Sequence, residues 1–210
     1  MKVLVTGGAG FIGSHVVDAL VKKDNEVVII DDFSTGFEKN INPAAKLYRL
    51  SICDTAIKNI FERERPQVVI HLAAQTSVTR SITDPAFDAG VNILGSLNVI
   101  SNCVGSGVRR IVYASSCALY GTPEYLPVDE KHPVKSLSPY GVSKHTVEHY
   151  LFQSYTLYGL SFIVLRYANV YGPRQNPRGE GGVVAIFAGK MLGGEKPTKY
   201  GLGDKSRDYI

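Results

Sequence analysis

Cysteine is scarce in this chain: three residues in 210, at Cys53, Cys103 and Cys117. Odd in number and widely spaced, they fit neither a disulfide framework nor a zinc site. A reducing cytoplasm is the simplest compartment. Basic blocks are missing too. The net charge of +4 comes from scattered Lys and Arg, so nothing points to nucleic acid or an anionic membrane surface. No apolar run is long enough to span a bilayer. The opening MKVLVTGG reads as a strand entering a glycine turn rather than a signal peptide. Internal repeats and low-complexity tracts are lacking as well. What is there is ordinary soluble composition, 44% hydrophobic and 20% charged, enough for one large domain or one and a fraction.

Short apolar runs alternate with helix-like segments. KVLVT (2–6), EVVIID (26–31), KLYRL (46–50), QVVIHLA (67–73), RRIVYASS (109–116) and SFIVLRY (161–167) read as strands. Helices are expected over 11–23, about 54–65, about 84–106 and from Pro139 to about 158. Near-continuous apolar strands alternating with helices predict an α/β fold, a doubly wound parallel sheet covered on both faces. From about 172 the pattern changes to a Pro/Gly/Arg loop, YGPRQNPRGEGG, and then a short helix in VVAIFAGKMLGG. The closing TKYGLGDKSRDYI carries no final element or helix cap.

VTGGAGFIGSH follows the first strand and opens the first helix. Gly7, Gly10 and Gly13 give G-x-x-G-x-x-G, and Gly8, Gly10 and Gly13 give G-x-G-x-x-G. Glycines there permit a tight turn, close backbone approach to a pyrophosphate and close helix–strand packing, the Rossmann-type signature. The helix start offers free N–H groups and a positive dipole end. The second strand ends in Asp31 and Asp32, where a ribose-binding acid is expected. A carboxylate there repels a 2′-phosphate and favours NAD over NADP, and no Arg stands nearby in the sequence. The plainer alternative is that the two acids begin a polar turn.

In SPYGVSK, Ser138 reads as an N-cap and Pro139 as the first helical residue. Tyr140 and Lys144 are then one turn apart on one face. A cation beside a phenol lowers its pKa and makes Tyr140 a usable general base. The alternative is a surface pair. Ser115 and Ser116 end the fifth strand, at the edge where open parallel sheets bind ligands. Either could bond a substrate hydroxyl, or both could simply end the strand.

The stretches TGGAGFIGSH, DDFSTG, HLAAQTSVTRSITDP, VNILGSLNV, SSCALYG, SPYGVSK and RYANVYGPRQNP together carry a resemblance. Through them the chain resembles the extended short-chain dehydrogenase/reductase family, and within it the UDP-glucose 4-epimerases and related nucleotide-sugar epimerases. The resemblance implies NAD as a tightly held cofactor and a UDP-sugar as substrate, epimerised through a transient 4-keto form. It implies that Tyr140 is the base, that Lys144 holds the nicotinamide ribose and depresses the phenol, and that Ser116 bonds the sugar hydroxyl. Gly7, Gly10, Phe11, Ile12, Asp31, Asp32, Ser34, Thr35 and Gly36 would meet the phosphates and adenosine. Leu72, Ala73, Ala74, Gln75 and Ser115 would line the cofactor, and Asn92 would support its site. Ser51, with Ile52, stands where the family usually has an adenine-contacting Asp. Asn169 would meet the nucleotide-sugar phosphates. No metal is implied.

Nucleotide-sugar dehydratases of the same superfamily carry Asp and Glu directly after the active-site serine or threonine. Here those positions are Cys117 and Ala118, and decarboxylating relatives often have a Glu that is again absent. A non-catalytic dinucleotide-binding module typically loses the Tyr or the Lys, and both are kept. The resemblance divides the chain into an NAD-binding domain with the catalytic Ser, Tyr and Lys over 1–171, and the truncated start of a substrate-binding part over 172–210. Relatives continue further, so an exposed apolar edge and association are expected. It also implies a homodimer formed through the 84–106 and Tyr140 helices. RQNPRGEGG would cover the nucleotide side. His15, His71 and Cys103 read as structural and Cys117 as a packed residue. Arg80, placed in a loop, could meet a phosphate, and Arg166 and Arg174 carry no assignment.

Overall fold

Val3 and Val5 of β1 (Lys2–Thr6) join one apolar cluster, and Leu4 between them joins another. The same alternation runs through β2 (Glu26–Asp31), with Val27 and Ile29 on one side and Val28 and Ile30 on the other. Successive strand side chains face opposite ways, so both faces of the sheet are buried. That is why these strands read as unbroken apolar runs. The structure, a computed structural model, describes residues 1–177, 182–199, 201 and 207–210.

Among the described residues the sheet has six strands in the order β3-β2-β1-β4-β5-β6, and β1 pairs in parallel with β2 and β4, β2 with β3, and β4 with β5. The others are β3 (Lys46–Arg49), β4 (Val68–His71), β5 (Arg110–Ser116) and β6 (Ser161–Tyr167). α1 (Phe11–Val21) lays Val17 on the Val3/Val5 face. The opposite face takes Ile57, Ile60 and Phe61 of α2 (Ile57–Glu64), Val99, Ile100 and Cys103 of α5 (Ser96–Gly105), and Val147 and Leu151 of α6 (Pro139–Tyr158). The expected α/β fold is therefore observed, a doubly wound, Rossmann-type sheet. The switch in strand order falls between β1 and β4, and ligands of such sheets bind outside the carboxyl ends at that point.

The expected helix over about 84–106 is observed as one continuous helical run over 85–105, with a π turn inside it. Asp84 caps α4 (Pro85–Ala89) by accepting from the Phe87 N–H, a π turn follows over Gly90–Gly95, and only then does α5 begin. A further short helix, α3 (Val78–Thr83), precedes it and carries Arg80, which the sequence placed in a loop. A π turn leaves no mark in apolar spacing, so the sequence shows the helix and not the turn inside it. By contact the chain forms two compact units, Met1–Arg166 and Tyr167–Ile210. The second contains α7 (Val183–Leu192), the short helix expected in VVAIFAGKMLGG. Part of the RQNPRGEGG segment, residues 178–181, lies outside the described residues. Among the described residues no helix is long and apolar enough to cross a membrane.

Glu64 at the end of α2 ties three elements together. Its buried carboxylate accepts from Lys46 Nζ at 2.6 Å, from the Tyr48 hydroxyl, and from Lys2 Nζ at 3.1 Å. Burial alone would raise this carboxyl. The bonds from Lys46, Tyr48 and Lys2 outweigh it and hold the pKa at about 2. A depressed carboxyl stabilises the fold above its unfolded value and loses that contribution as pH falls through the folded value. Glu64→Gln is therefore expected to lower unfolding free energy by ~2 kcal/mol at pH 7. The deficit, measured by denaturant titration, should shrink between pH 4.5 and about 2.

Candidate active site

The carboxyl edge of the sheet gathers most of the anticipated residues. After β1 the chain turns at Gly7, whose φ is +74°. α1 then starts at Gly10 with no side-chain cap, so its first N–H groups are available to an anion. A Cβ on Gly7 would lie 2.7 Å from the Ala73 nitrogen, and one on Gly13 only 2.0 Å from the Gly7 carbonyl oxygen. The loop is a cradle that side chains would fill. Phe11 and Ile12 sit in the first turn of α1, and Leu72, Ala73 and Ala74 follow β4 beside Gly7.

Asp31 does more than await a ribose. Its Oδ2 accepts from the Ala9 N–H and its Oδ1 from the Phe33 N–H, each at 2.8 Å, so it braces the glycine loop against the DDFSTG turn. Burial pushes its carboxyl up, against the pull of those two N–H groups. Asp32 caps the turn by accepting from the Ser34 N–H, and Gly36 packs against Ala9. Thr35 lies between them in the same turn. The reading that no Arg is nearby needs correction: β3 brings the Arg49 guanidinium 4.9 Å from the Phe33 ring centroid, where it also pairs with Glu38. Ser51 caps a tight turn by accepting from the Cys53 N–H. Ile52 is buried and its carbonyl accepts from Asn98.

Behind the edge lies a buried polar chain. Ser96 donates to the Asn92 carbonyl and so must accept from His71 Nε2–H, while Thr6 donates to His71 Nδ1. Burial, then the charge of Lys144, lowers the His71 pKa to about 3 and keeps the ring neutral. The structural role expected of His71 is the one observed. Asn92, inside the π turn and 1% exposed, is a bracket: its amide reaches Gln75, Asp88 and Ser143. It thereby fixes the loop after β4 to α6. Asp88 also accepts from Gln75, and its Oδ2 is buried without a hydrogen-bond partner among the described residues.

α6 begins as its sequence demands. The Ser138 hydroxyl accepts from the Gly141 N–H, and Pro139 occupies the first turn. Tyr140, half-buried, and Lys144, 3% exposed, come out on one face, which excludes the surface pair. The Ser116 hydroxyl faces the Tyr140 phenol and favours its ionised form. Ser115 is not free to play that part, because its Oγ donates to Glu148 at 2.6 Å. The structure thus separates two serines that their place at the strand end left equivalent, and does so in the sense that the resemblance implied.

The expected direction of the Tyr140 shift is reversed. Burial raises the phenol, against the Ser116 hydroxyl that lowers it. Burial also pulls Lys144 down to about 7, against the charges of Asp88 and Glu148. Its Nζ lies 4.5 Å from the Tyr113 ring centroid. A dry site favours the neutral form of each group taken singly. A phenolate is tolerable there only with the ammonium beside it, because the two charges then cancel.

Other residues fall elsewhere. Arg80 stacks on Phe87 at 3.7 Å. Asn169 belongs to the second unit, where it bridges to Tyr209 and donates from its side chain to the Asp208 carbonyl. Sequence reasoning missed Glu148 and Asp88. Glu148 had a signal, its i+8 spacing from Tyr140 on the same helix; Asp88 had none. Among the described residues no group of three or more His, Cys, Asp or Glu could hold a metal ion.

Comparison with known proteins agrees with this geometry. The NAD dependent epimerase/dehydratase family matches residues 3–210. A UDP-glucose 4-epimerase of Mycolicibacterium smegmatis is 42% identical over 216 residues, covering 100% of this chain and 69% of the relative. The crystal structure of Thermotoga maritima UDP-glucose 4-epimerase with UDP-glucose superposes with a TM-score of 0.98 at 46% identity, over 100% of this chain and 69% of that one. That of the Thermus thermophilus UDP-glucose 4-epimerase in complex with NAD gives 0.95 at 45% identity, over 100% and 70%.

Proposed function

The chain belongs to the NAD dependent epimerase/dehydratase family, and from that membership we propose that it carries NAD-dependent 4-epimerisation of a UDP-sugar of the UDP-glucose/UDP-galactose kind, through a transient 4-keto sugar. The observation that carries the reading is the meeting of Ser116, at the end of β5, with the Tyr140 phenol, one helical turn before a buried Lys144. It lies on the sheet edge that also holds the glycine cradle.

The residues present fit the dinucleotide. The uncapped start of α1 and the close approach of Gly7 and Gly13 suit a pyrophosphate, and Asp31 suits an unphosphorylated ribose. NAD, when bound, supplies a reversible hydride acceptor. Tyr140 takes the proton of the sugar 4-hydroxyl and returns it when the 4-keto form is reduced on its other face. Ser116 orients that hydroxyl. Lys144, with a pKa of about 7, balances the phenolate inside a site that excludes water. Cys117 and Ala118, on the short turn Cys117–Leu119, offer no carboxyl pair for elimination, which favours epimerisation over dehydration.

The test is product formation from UDP-galactose, UDP-N-acetylgalactosamine and UDP-galacturonate with NAD present, resolved by chromatography. Conversion of one establishes the reaction and names the sugar. No conversion of any, with NAD bound, overturns the reading for this chain.

A homodimer is part of the proposal. Val142, Tyr150, Phe152 and Leu157 of α6 are exposed, Phe152 at 63% and Leu157 at 60%. A cavity of about 460 Å³ separates the start of α6 from Pro85 and Ile93. Apolar exposure of this extent marks an association surface. Sedimentation is expected to give a dimer, and Phe152→Glu a monomer; a monomeric wild-type chain would sink the idea.

A further inference from the structure

We propose that Glu148 is a positioning residue for this centre: its carboxylate locks the end of β5 to α6 and β6, and supplies negative charge beside the buried Lys144. The proposal rests on the reading that Ser116, Tyr140 and Lys144 are the reacting set.

Three observations carry it. Tyr140, Lys144 and Glu148 recur every four residues along α6, one side chain per turn. The carboxylate of Glu148 is then fully engaged. Its Oε1 accepts from Ser115 Oγ at 2.6 Å and Arg166 Nε at 3.1 Å. Its Oε2 accepts from Arg166 Nη2 at 2.7 Å and faces His145 Nδ1 at 3.4 Å. This is the fork geometry in which a guanidinium fixes a carboxylate in orientation as well as place. Arg166 carries the lock onward, donating from Nη1 to the Tyr120 hydroxyl at 2.8 Å. One carboxylate thus joins β5, the turn that follows it, α6 and β6. Ser115 and Ser116 are consecutive, so a fixed Ser115 fixes the backbone from which Ser116 reaches the phenol.

The third observation is the company around Lys144. His71 faces it from β4, the Tyr113 ring from β5, Asp88 from α4, and Tyr140 and Glu148 from its own helix. The His71 ring is neutral, and both tyrosines are held in the phenol form by burial. The negative charge comes from Asp88 and Glu148, which oppose the loss of the lysine proton that burial favours. A buried ion pair is weak evidence for stability, since neutral replacements are often tolerated. A role in orienting groups and setting charge explains better why four elements converge on this one.

The experiment is an NMR titration of the chain labelled at lysine Cε, with the Lys144 resonance assigned by its loss in Lys144→Arg. Glu148→Gln keeps the shape and removes the charge, and is expected to lower the Lys144 midpoint by about one pH unit. Glu148→Asp should recover most of the fall. Glu148→Gln leaves Arg166 without its counter-charge; should that chain fail to fold, Arg166→Gln serves, and freeing the Glu148 carboxylate of its counter-charge is expected to raise the Lys144 midpoint. A midpoint unchanged in whichever variant folds overturns the proposal, because a purely structural tie would not hold the lysine proton. Turnover is a separate readout. Absent activity in the wild-type chain strikes the functional reading, whereas an unmoved Lys144 midpoint strikes the role of Glu148.

Discussion

Tyr140→Phe is expected to reduce sugar turnover by about 10³-fold or more while NAD binding and the fold persist. In the proposed reaction the phenolate oxygen of Tyr140 takes the 4-hydroxyl proton, and phenylalanine removes that oxygen and nothing else. A thousandfold loss corresponds to ~4 kcal/mol of barrier, whereas the fold loses at most one polar contact, worth about 1 kcal/mol. The two effects therefore separate in one comparison: chromatographic turnover collapses, and the denaturation midpoint moves little. Turnover that survives would remove Tyr140 from the chemistry. Ser116→Ala should be milder, since Ser116 orients a hydroxyl and faces the phenol but takes no proton.

Gly13→Ala is expected to abolish NAD binding and to cost the fold about 3 kcal/mol. The added Cβ would sit 2.0 Å from the Gly7 oxygen, 2.8 Å from the Gly7 carbonyl carbon and 2.9 Å from the Gly8 Cα. All three are backbone atoms of the loop itself, so no side chain can swing away. α1 would have to retreat from β1, opening the turn proposed to hold the pyrophosphate. Gly105→Ala is the matched control. A Cβ there meets nothing within 4 Å, and replacing a helical glycine should stabilise by about 0.5–1 kcal/mol. Calorimetric titration with NAD and denaturant curves of both chains check the pair. Normal NAD affinity in Gly13→Ala would show that the loop does not hold the dinucleotide.

Much of this was legible in the chain before it was folded. β1 and β2 have the bounds that their apolar runs predict, because strands buried on both faces need no polar residues, and β6 has its predicted bounds although Ile163 and Leu165 are exposed. The start of α6 was readable because a cap and a first-turn proline act locally. The glycine spacing identified the cradle because only Gly can occupy positions where another backbone passes so close. These signals share a cause: each is set by residues within a few positions of one another.

What only the tertiary structure decided depends on residues far apart in sequence. Ser115 and Ser116 are chemically equivalent on paper; Glu148, 33 positions away, takes one and leaves the other for Tyr140. The sequence gives the cation beside the phenol and so suggests a lowered pKa. Burial beneath β4, β5 and α4 reverses the sign, because desolvation grows with everything packed around a group and no local spacing records it. Arg49 reaches Phe33 across the β2–β3 pairing, and Asn92 turns inward through a π turn that apolar spacing does not reveal. The sequence by itself determined which groups are present and on which elements. Distance and dielectric, properties of the packed chain, decided which of them meet and in what charge state.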